Sequence, residues 1–169
     1  MTAPYDAMAD WEVPLWNQQA GIWSGHVTTR EIDGAVIDEH DVVTDVAIDL
    51  AGNRYAQRVV ATRGAASEVR SFTAHWDGRD LVVQNARFAA RARAVDGRVL
   101  LLTARSSDGR VETFETILLL SELTRARTIQ HVEDGVLAAI TIVSDERRIA
   151  PVPGIDFAGE PLPRLDPAP

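Results

Sequence analysis

The sequence predicts an all-β fold, an antiparallel up-and-down meander of about eight to ten strands closed into a barrel. Three observations support this prediction. Runs of alternating polar and apolar residues follow one another along the chain. Connections between the runs are too short for parallel crossovers, and closure removes open sheet edges. Asp-Gly, a dipeptide typical of tight hairpins, recurs between runs at Asp33-Gly34, Asp77-Gly78, Asp96-Gly97, Asp108-Gly109 and Asp134-Gly135.

The order of these elements predicts a single domain over residues 1–169, in three parts. Residues 1–20 form a short helical or irregular lead-in, in which Pro14 limits any helix and two tryptophans, Trp11 and Trp16, cover one end of the core. Residues 21–149 form the barrel. Residues 150–169 form an extended tail, because proline crowds this stretch and prevents both ladders and helices.

Nine runs of residues fit strands of this barrel. They are 21–32, 36–50, 53–63, 68–76, 80–95, 98–105, 110–120, 124–133 and 136–148.

Charged residues in these runs indicate which face of a strand points to solvent, because alternate residues share a face. The outward residues of the second, third, fifth and eighth runs are then Asp41, Asp45 and Asp49; Arg54 and Arg58; Arg87, Arg91 and Arg93; and Arg125 and Arg127. The inward residues are then Val42, Thr44, Val46, Ile48 and Leu50 in the second run, and Tyr55, Gln57, Val59 and Ala61 in the third. In the fifth run they are Val82, Gln84, Ala86, Phe88, Ala90, Ala92 and Ala94. In the eighth they are Ala126, Thr128, Gln130 and Val132, and in the ninth Ala138, Ile140, Ile142 and Ser144.

The interior predicted in this way is rich in alanine and in side chains that form hydrogen bonds. A buried amide without a partner costs about 1–3 kcal/mol. Small residues and convergent amides therefore predict a cavity for water or an amphipathic ligand. The alternatives are amides that pair with one another, or a one-residue slip that reverses the faces. The predicted ligand-binding residues are Tyr55, Gln57, Trp76, Gln84, Phe88 and Gln130.

Composition excludes several classes of function. The net charge of -8 argues against nucleic acid and anionic membranes as partners. All seventeen basic residues are Arg, so no Lys can form a Schiff base, and the absence of Cys excludes thiolate chemistry. No apolar run has the length of a membrane helix, and no signal peptide is visible, so a cytoplasmic location is the default expectation.

Two residues are candidates for catalysis. One of Glu112 and Glu115 must point inward, and a carboxylate in an apolar barrel can act as a general acid or base. Glu115 is the predicted acid or base, with Tyr55 as a partner that holds a carbonyl or enolate oxygen. The alternative places the carboxylate at the rim. The four histidines lack metal-ligand spacing, so neither a metal nor another cofactor is predicted.

Gly21-Ile22-Trp23, after a Trp-containing lead-in, resembles the Gly-x-Trp signature of lipocalins and wider calycins. The stretch from Arg127 to Leu137, with Asp145-Glu146-Arg147-Arg148 after it, resembles the final hairpin of bacterial lipocalin-like proteins of unknown function that are related to bilin lyases. The resemblance implies that Trp23 closes the barrel base and that a late Arg stacks on it. Arg147 or Arg148 is the implied residue, and Arg125 or Arg127 is the alternative.

The leading prediction is a barrel that binds a small hydrophobic or amphipathic molecule. The first alternative is a cofactor-independent cyclase, isomerase or dehydratase that acts on a secondary metabolite in the same cavity. The second is an interaction module whose outward Arg87, Arg91 and Arg93 face an acidic partner or a second copy in a homodimer.

Overall fold

The computed structural model describes residues 4–148, and the predicted tail at 150–169 lies outside the described residues. A 3-10 turn (Pro4–Ala7) and one helix, α1 (Glu12–Gln19), precede ten strands. The strands are β1 (Gly21–Glu31), β2 (Val36–Asp49), β3 (Arg54–Arg63), β4 (Ala66–Asp77), β5 (Asp80–Gln84), β6 (Phe88–Asp96), β7 (Val99–Ser106), β8 (Val111–Leu119), β9 (Thr124–Glu133) and β10 (Val136–Arg147).

The ten strands form a closed antiparallel barrel, which confirms the predicted fold class. Each strand pairs with its neighbours in sequence, and β1 pairs with β10 to close the sheet. All five Asp-Gly dipeptides lie at junctions of consecutive strands, as predicted, and Asp77 and Asp96 are the last residues of β4 and β6. Asp134 and Gly135 both have positive φ, the conformation that such hairpin turns require.

The predicted run 80–95 forms two strands, because a turn at Asn85 interrupts the sheet pairing. The Asn85 side-chain oxygen accepts hydrogen bonds from the backbone N–H groups of Arg87 (2.8 Å) and Phe88 (3.1 Å). This local turn competes with the ladder and shifts the inward positions by one residue. Leu81 and Val83 are therefore buried, while Gln84 is exposed on the outer face. The predicted inward placement of Gln84 is wrong.

The predicted faces of β2, β3 and β6 agree with the observed burial, but those of β9 and β10 are reversed. Arg125 is 4% exposed and points inward, and Thr128 is exposed outside. On β10, Val143 and Asp145 are buried, whereas Ile142 is 50% exposed. The inward placement of Gln130, which shares the Thr128 face, is therefore wrong as well. The reason is that the two β9 arginines are neutralised by carboxylates inside the barrel and need no solvent.

Helix α1 closes one end of the barrel, here called the base. Pro14 is tolerated because it lies in the first turn, where backbone N–H groups have no partner within the helix. Leu15 and Trp16 are buried, and the Trp16 ring meets the Trp76 ring edge-on at 5.5 Å. Trp11, by contrast, is 36% exposed and lies at the surface. The helix thus inserts only one of the two predicted tryptophans into the core.

Trp23 is fully buried at the base, and its ring nitrogen donates a hydrogen bond to the Gln19 carbonyl at 3.0 Å. The guanidinium groups of Arg125 and Arg147 lie over its ring, at 4.3 and 4.4 Å from the centroid. Arg147 also donates to the Ala20 carbonyl at 2.6 Å, so it ties β10 to the end of α1. The stacking implied by the resemblance is therefore present, and two arginines share it.

Two glycines on either side of Trp23 make room for its neighbours. A Cβ atom at Gly21 would lie 2.9 Å from Nη1 of Arg147, and Gly21 has a φ of 112°. A Cβ atom at Gly25 would lie 2.1 Å from Oδ1 of Asp145. The sequence Gly-x-Trp-x-Gly therefore has a packing reason, because its first glycine accommodates an arginine and its last a buried carboxylate.

Candidate functional site

A cavity of about 180 Å³, here called the lower chamber, lies inside the barrel next to α1. Its walls are mostly apolar. The aromatic and aliphatic lining residues are Trp16, Phe72, Leu81, Val83, Phe88, Ala90, Ala92, Leu100, Leu102, Ala104 and Ile117. The polar side chains that line it are those of Gln19, Tyr55, Gln57, Glu115, Arg125 and Arg127. The alanines of β6 and β7 leave the space that larger residues would fill.

Tyr55 is held in the chamber by its neighbours. Its ring stacks on Phe72 with centroids 6.0 Å apart, and its hydroxyl donates a hydrogen bond to Oε1 of Gln57 at 2.7 Å. Burial raises the pKa of the Tyr55 phenol well above its ordinary value, because the phenolate would be poorly solvated. Tyr55 is therefore a neutral hydrogen-bond donor rather than a base.

A network of buried charges forms the polar side of the chamber. Oδ2 of Asp145 accepts hydrogen bonds from Nε of Arg125 (2.7 Å) and Nε of Arg127 (2.8 Å). The side chain of Asp145 is fully buried, and those of Arg125 and Arg127 are 4% and 12% exposed. Glu115 accepts a longer bond from Nη1 of Arg127, at 3.3 Å. The two arginines and two carboxylates balance in charge, which makes the burial of all four tolerable.

The network shifts the pKa values of the two arginines in opposite directions. Burial lowers the pKa of Arg125, and the nearby charge of Arg127 lowers it further. Burial also acts to lower the pKa of Arg127, but the charges of Glu115 and Asp145 outweigh it and leave the pKa raised. Arg127 therefore remains a firmly charged donor between the two carboxylates.

Donors exceed acceptors around the lower chamber. Oε1 of Gln19 accepts a hydrogen bond from Nη1 of Arg125 at 3.2 Å, which leaves its Nε2 group as a donor. Among residues 4–148, Nε2 of Gln19 and Nε1 of Trp16 are buried polar atoms without a hydrogen-bond partner. Both residues line the chamber, and they are 3% and 2% exposed. A ligand acceptor that reaches either atom would remove the cost of burying an unpaired donor.

A second cavity, here called the upper chamber, has about 310 Å³ and lies toward the other end of the barrel. Its walls include Val27, Val42, Val59, Ile129 and Val143. Its polar lining residues are Thr29, Asp38, His40, Arg63, Glu68, Arg70, Arg127, His131 and Thr141. Arg127 lines both chambers and so forms part of the partition between them.

Short contacts order the polar groups of the upper chamber. Thr141 contacts both Thr29 and Nε2 of His131 at 2.8 Å, and burial lowers the pKa of His131. Asp38 accepts hydrogen bonds from Arg63 and lies 3.0 Å from Nδ1 of His40, although that contact lacks hydrogen-bond geometry. His26 is on the outer surface, between Glu39 and Asp41, and His75 is exposed. Within the described residues, no group of three His, Asp or Glu side chains could hold a metal ion.

The structure brings together four of the residues predicted from the sequence. Tyr55, Gln57, Phe88 and Glu115 all line the lower chamber. Trp76 is 3% exposed and lies behind the lining, where it contacts Trp16 and Tyr55. Gln84 and Gln130 lie on outward positions of β5 and β9, and neither lines the chamber.

The sequence did not predict the polar side of the site, which comprises Gln19 and the charged residues Arg125, Arg127 and Asp145. One signal could have found it. The tight turn at Asp134-Gly135 brings β9 and β10 together, and Arg125 is the cross-strand partner of Asp145. Opposite charges that face each other across a hairpin stabilise one another on either face of the sheet. The arginine charges alone therefore did not show which face of β9 points to solvent.

No helix within residues 4–148 combines the length and apolarity needed to cross a membrane. No protein-family model and no curated protein matches the chain. Solved structures do match. A DUF3598-family protein of unknown function from Nostoc punctiforme has a TM-score of 0.62 at 19% identity, over 78% of this chain and 48% of that protein. This chain thus spans about half the length of that protein.

Two further solved structures match over almost their whole length. The S-type phycobiliprotein lyase CPES from Guillardia theta has a TM-score of 0.65 at 10% identity, over 89% of this chain and 99% of the lyase. Rv2717c from M. tuberculosis has a TM-score of 0.59 at 10% identity, over 83% and 99%. The chain therefore shares its barrel fold with this S-type phycobiliprotein lyase and with Rv2717c. At these identities the similarity concerns the fold alone.

Proposed function

We propose that the barrel binds a small, mostly apolar molecule that carries a hydrogen-bond acceptor, a carboxylate or a carbonyl, in the lower chamber. The observation that carries this proposal is the excess of donors in an otherwise apolar cavity. Nε2 of Gln19 and Nε1 of Trp16 lack acceptors, and Arg127 makes a long, 3.3 Å hydrogen bond to Glu115. A barrel fold shared with a phycobiliprotein lyase fits ligand binding inside the sheet.

The size of the chamber limits the ligand. An engineered cavity of about 150 Å³ in another protein takes up benzene. The 180 Å³ of the lower chamber therefore suit one ring or a short chain with an acceptor group. Apolar walls contribute about 25 cal/mol for each Å² that the ligand removes from water. A longer molecule would have to pass Arg127 and enter the upper chamber.

The test compares three probes of similar size, namely benzoate, toluene and benzylamine, by isothermal titration calorimetry and tryptophan fluorescence. Benzoate is expected to bind most tightly, toluene less so, and benzylamine, which is cationic at neutral pH, least. In Arg127→Met, benzoate affinity is expected to fall about 10- to 100-fold, because a charge-assisted hydrogen bond is worth about 1.5–3 kcal/mol. Toluene binding should stay within about 2-fold, since it needs no donor.

Two further variants guard this test against simple misfolding. Arg98→Met changes an exposed arginine in the β6–β7 turn and should leave all three affinities unchanged. Ala90→Leu fills the chamber from a lining position and should abolish binding of benzoate and toluene alike. Equal affinity for the three probes, or binding that survives Ala90→Leu, would contradict the proposal. Native mass spectrometry of the purified protein would identify a molecule that is already bound.

A second candidate function is an enzyme of the cyclase, isomerase or dehydratase type. One observation favours it. The side chain of Glu115 is 13% exposed and shares the lower chamber with the neutral phenol of Tyr55. A carboxylate and a phenol on one bound molecule can divide the roles of base and oxyanion donor. Glu115→Gln separates the two functions, because it should abolish turnover of a substrate but leave benzoate bound. Turnover that persists in Glu115→Gln removes this residue from the mechanism.

A further inference from the structure

The outer surface of β7, β8, β9 and β10 has a continuous area without charged side chains, here called the uncharged face. Twelve outward residues form it, in three rows of cross-strand partners. The rows are Val99, Leu118, Ala126 and Ser144; Leu101, Thr116, Thr128 and Ile142; and Thr103, Phe114, Gln130 and Ile140.

The uncharged face differs from the rest of the outer surface. Charged residues make up 25% of the chain, and the outward side of β2 has three aspartates, at 41, 45 and 49. Within the uncharged face, three large apolar side chains are exposed: Leu101 at 45%, Phe114 at 43% and Ile142 at 50%. The largest apolar patch on a typical monomer covers about 300–600 Å² and is often functional.

The dimensions of the uncharged face indicate the strength of the contact. Strands lie about 4.8 Å apart, and outward residues repeat about every 6.8 Å, so twelve residues cover roughly 400 Å² of the sheet surface. Standard stable interfaces bury about 800 Å² on each partner, whereas weak and reversible ones bury less. The uncharged face therefore suits a reversible contact, with charged residues at its margin such as Arg105 and Glu112 forming the rim.

Charge identifies the kind of partner. A two-fold contact places the same surface on both sides, so a face with charges of one sign would repel its own copy. This protein has a net charge of -8, and the uncharged face is where two copies can meet without opposing carboxylates. Threonine, serine and glutamine side chains on it both donate and accept hydrogen bonds, which makes the surface complementary to itself.

The basic surface that the sequence suggested for self-association is less suited to this role. Asp80 is 2% exposed and accepts hydrogen bonds from Arg91 and Arg93, each at 2.5 Å. Asp80 neutralises part of this cluster and fixes both side chains against the barrel.

We propose that the protein forms a reversible homodimer through the uncharged face of β7–β10. This inference is independent of the ligand proposed for the lower chamber.

The test is sedimentation equilibrium at protein concentrations from 1 to about 500 µM, with the full chain. The wild type is expected to pass from monomer to dimer over this range, in keeping with a micromolar dissociation constant. Ile142→Glu and Thr128→Glu each place a charge in the middle row, where the contact would bury it without a partner. Each is expected to raise the dissociation constant at least 10-fold.

Val69→Glu is the matched control, because Val69 is an exposed apolar residue of β4, at 46%, outside the uncharged face. It changes the net charge by the same amount and should leave the dimer intact. Far-ultraviolet circular dichroism checks that all three variants keep the barrel. A wild type that stays monomeric up to 500 µM overturns the proposal. So does a dimer that withstands both middle-row substitutions or dissociates in Val69→Glu.

Discussion

The contact between Gly25 and Asp145 allows a sharp prediction for Gly25→Ala. The new Cβ atom would lie 2.1 Å from Oδ1 and 3.1 Å from Cγ1 of Val143. Asp145 cannot yield at low cost, because its carboxylate is fully buried and bonded to both arginines. The backbone at Gly25, in contrast, is ordinary for an L-residue, since its φ is not positive. The cost of the substitution should therefore come from displacing Asp145.

The magnitude follows from what the displacement breaks. Removing one partner of a buried ion pair typically costs about 3–5 kcal/mol. For a domain of this length, each kcal/mol lowers the melting temperature by about 2–4 °C. Gly25→Ala should therefore melt roughly 6–20 °C below the wild type. Circular dichroism during heating, together with urea unfolding at 25 °C, measures both quantities.

A double-mutant cycle tests the cause of this loss. In an Asp145→Ala background the carboxylate is absent, so adding Gly25→Ala should cost less than about 1 kcal/mol more. Gly97→Ala serves as the control for the loss of a glycine, because no atom lies within 4 Å of its added Cβ. It should change stability by less than about 1 kcal/mol. If Gly25→Ala is as stable as this control, or costs the same in both backgrounds, the reasoning is refuted.

Three further predictions concern the base, a buried carboxylate and the cavity phenol. Arg147→Met removes donors to the Ala20 and Glu122 carbonyls, so it should lower stability by about 1–3 kcal/mol and speed amide exchange in α1; unchanged exchange would contradict this role. Hydrogen bonds from Arg93 and Arg91 hold the pKa of Asp80 below its ordinary 3.8. Ionised Asp80 therefore stabilises the folded state fully above pH 3.8, and this stabilisation is lost as the pH falls through the lowered pKa. In urea unfolding, Asp80→Asn should cost about 1.5–3 kcal/mol at pH 7, and less below pH 3.8. The raised pKa of Tyr55 predicts that absorbance titration at 295 nm up to about pH 11 gives the same curve for the wild type and Tyr55→Phe; an extra ionisation in the wild type would refute burial of the phenol.

The fold was predictable because its determinants are local. Asp-Gly dipeptides specify tight turns, and short connections leave only a meander, whose closure follows from the cost of open edges. Part of the site was predictable for the same reason. Arg54 and Arg58 mark the outer face of β3, so Tyr55 and Gln57 must point inward.

The charged half of the site was not predictable from single strands. The rule that charges point outward fails on β9, where Arg125 and Arg127 face a carboxylate that comes from β10. Alternation alone cannot decide such a case, because the opposite face of β9, with Thr128 and Gln130, is also suited to an interior. Gln84 was misplaced for a different reason. The Asn85 turn interrupts a run whose apolar residues continue on both sides of it.

Closure of the barrel through β1 and β10 has a consequence for how the chain folds. Trp23 pairs with Arg147, so the contacts that bury the first strand are separated by almost the whole barrel sequence. Folds rich in such distant contacts form slowly, in milliseconds to seconds, because loop entropy must be lost before the contacts are gained. During synthesis β1 can pair early with β2, but its other edge stays open until β10 arrives. The Asp145 network completes the interior at the same step, so the ligand proposed for the lower chamber would bind only when the last strand is in place.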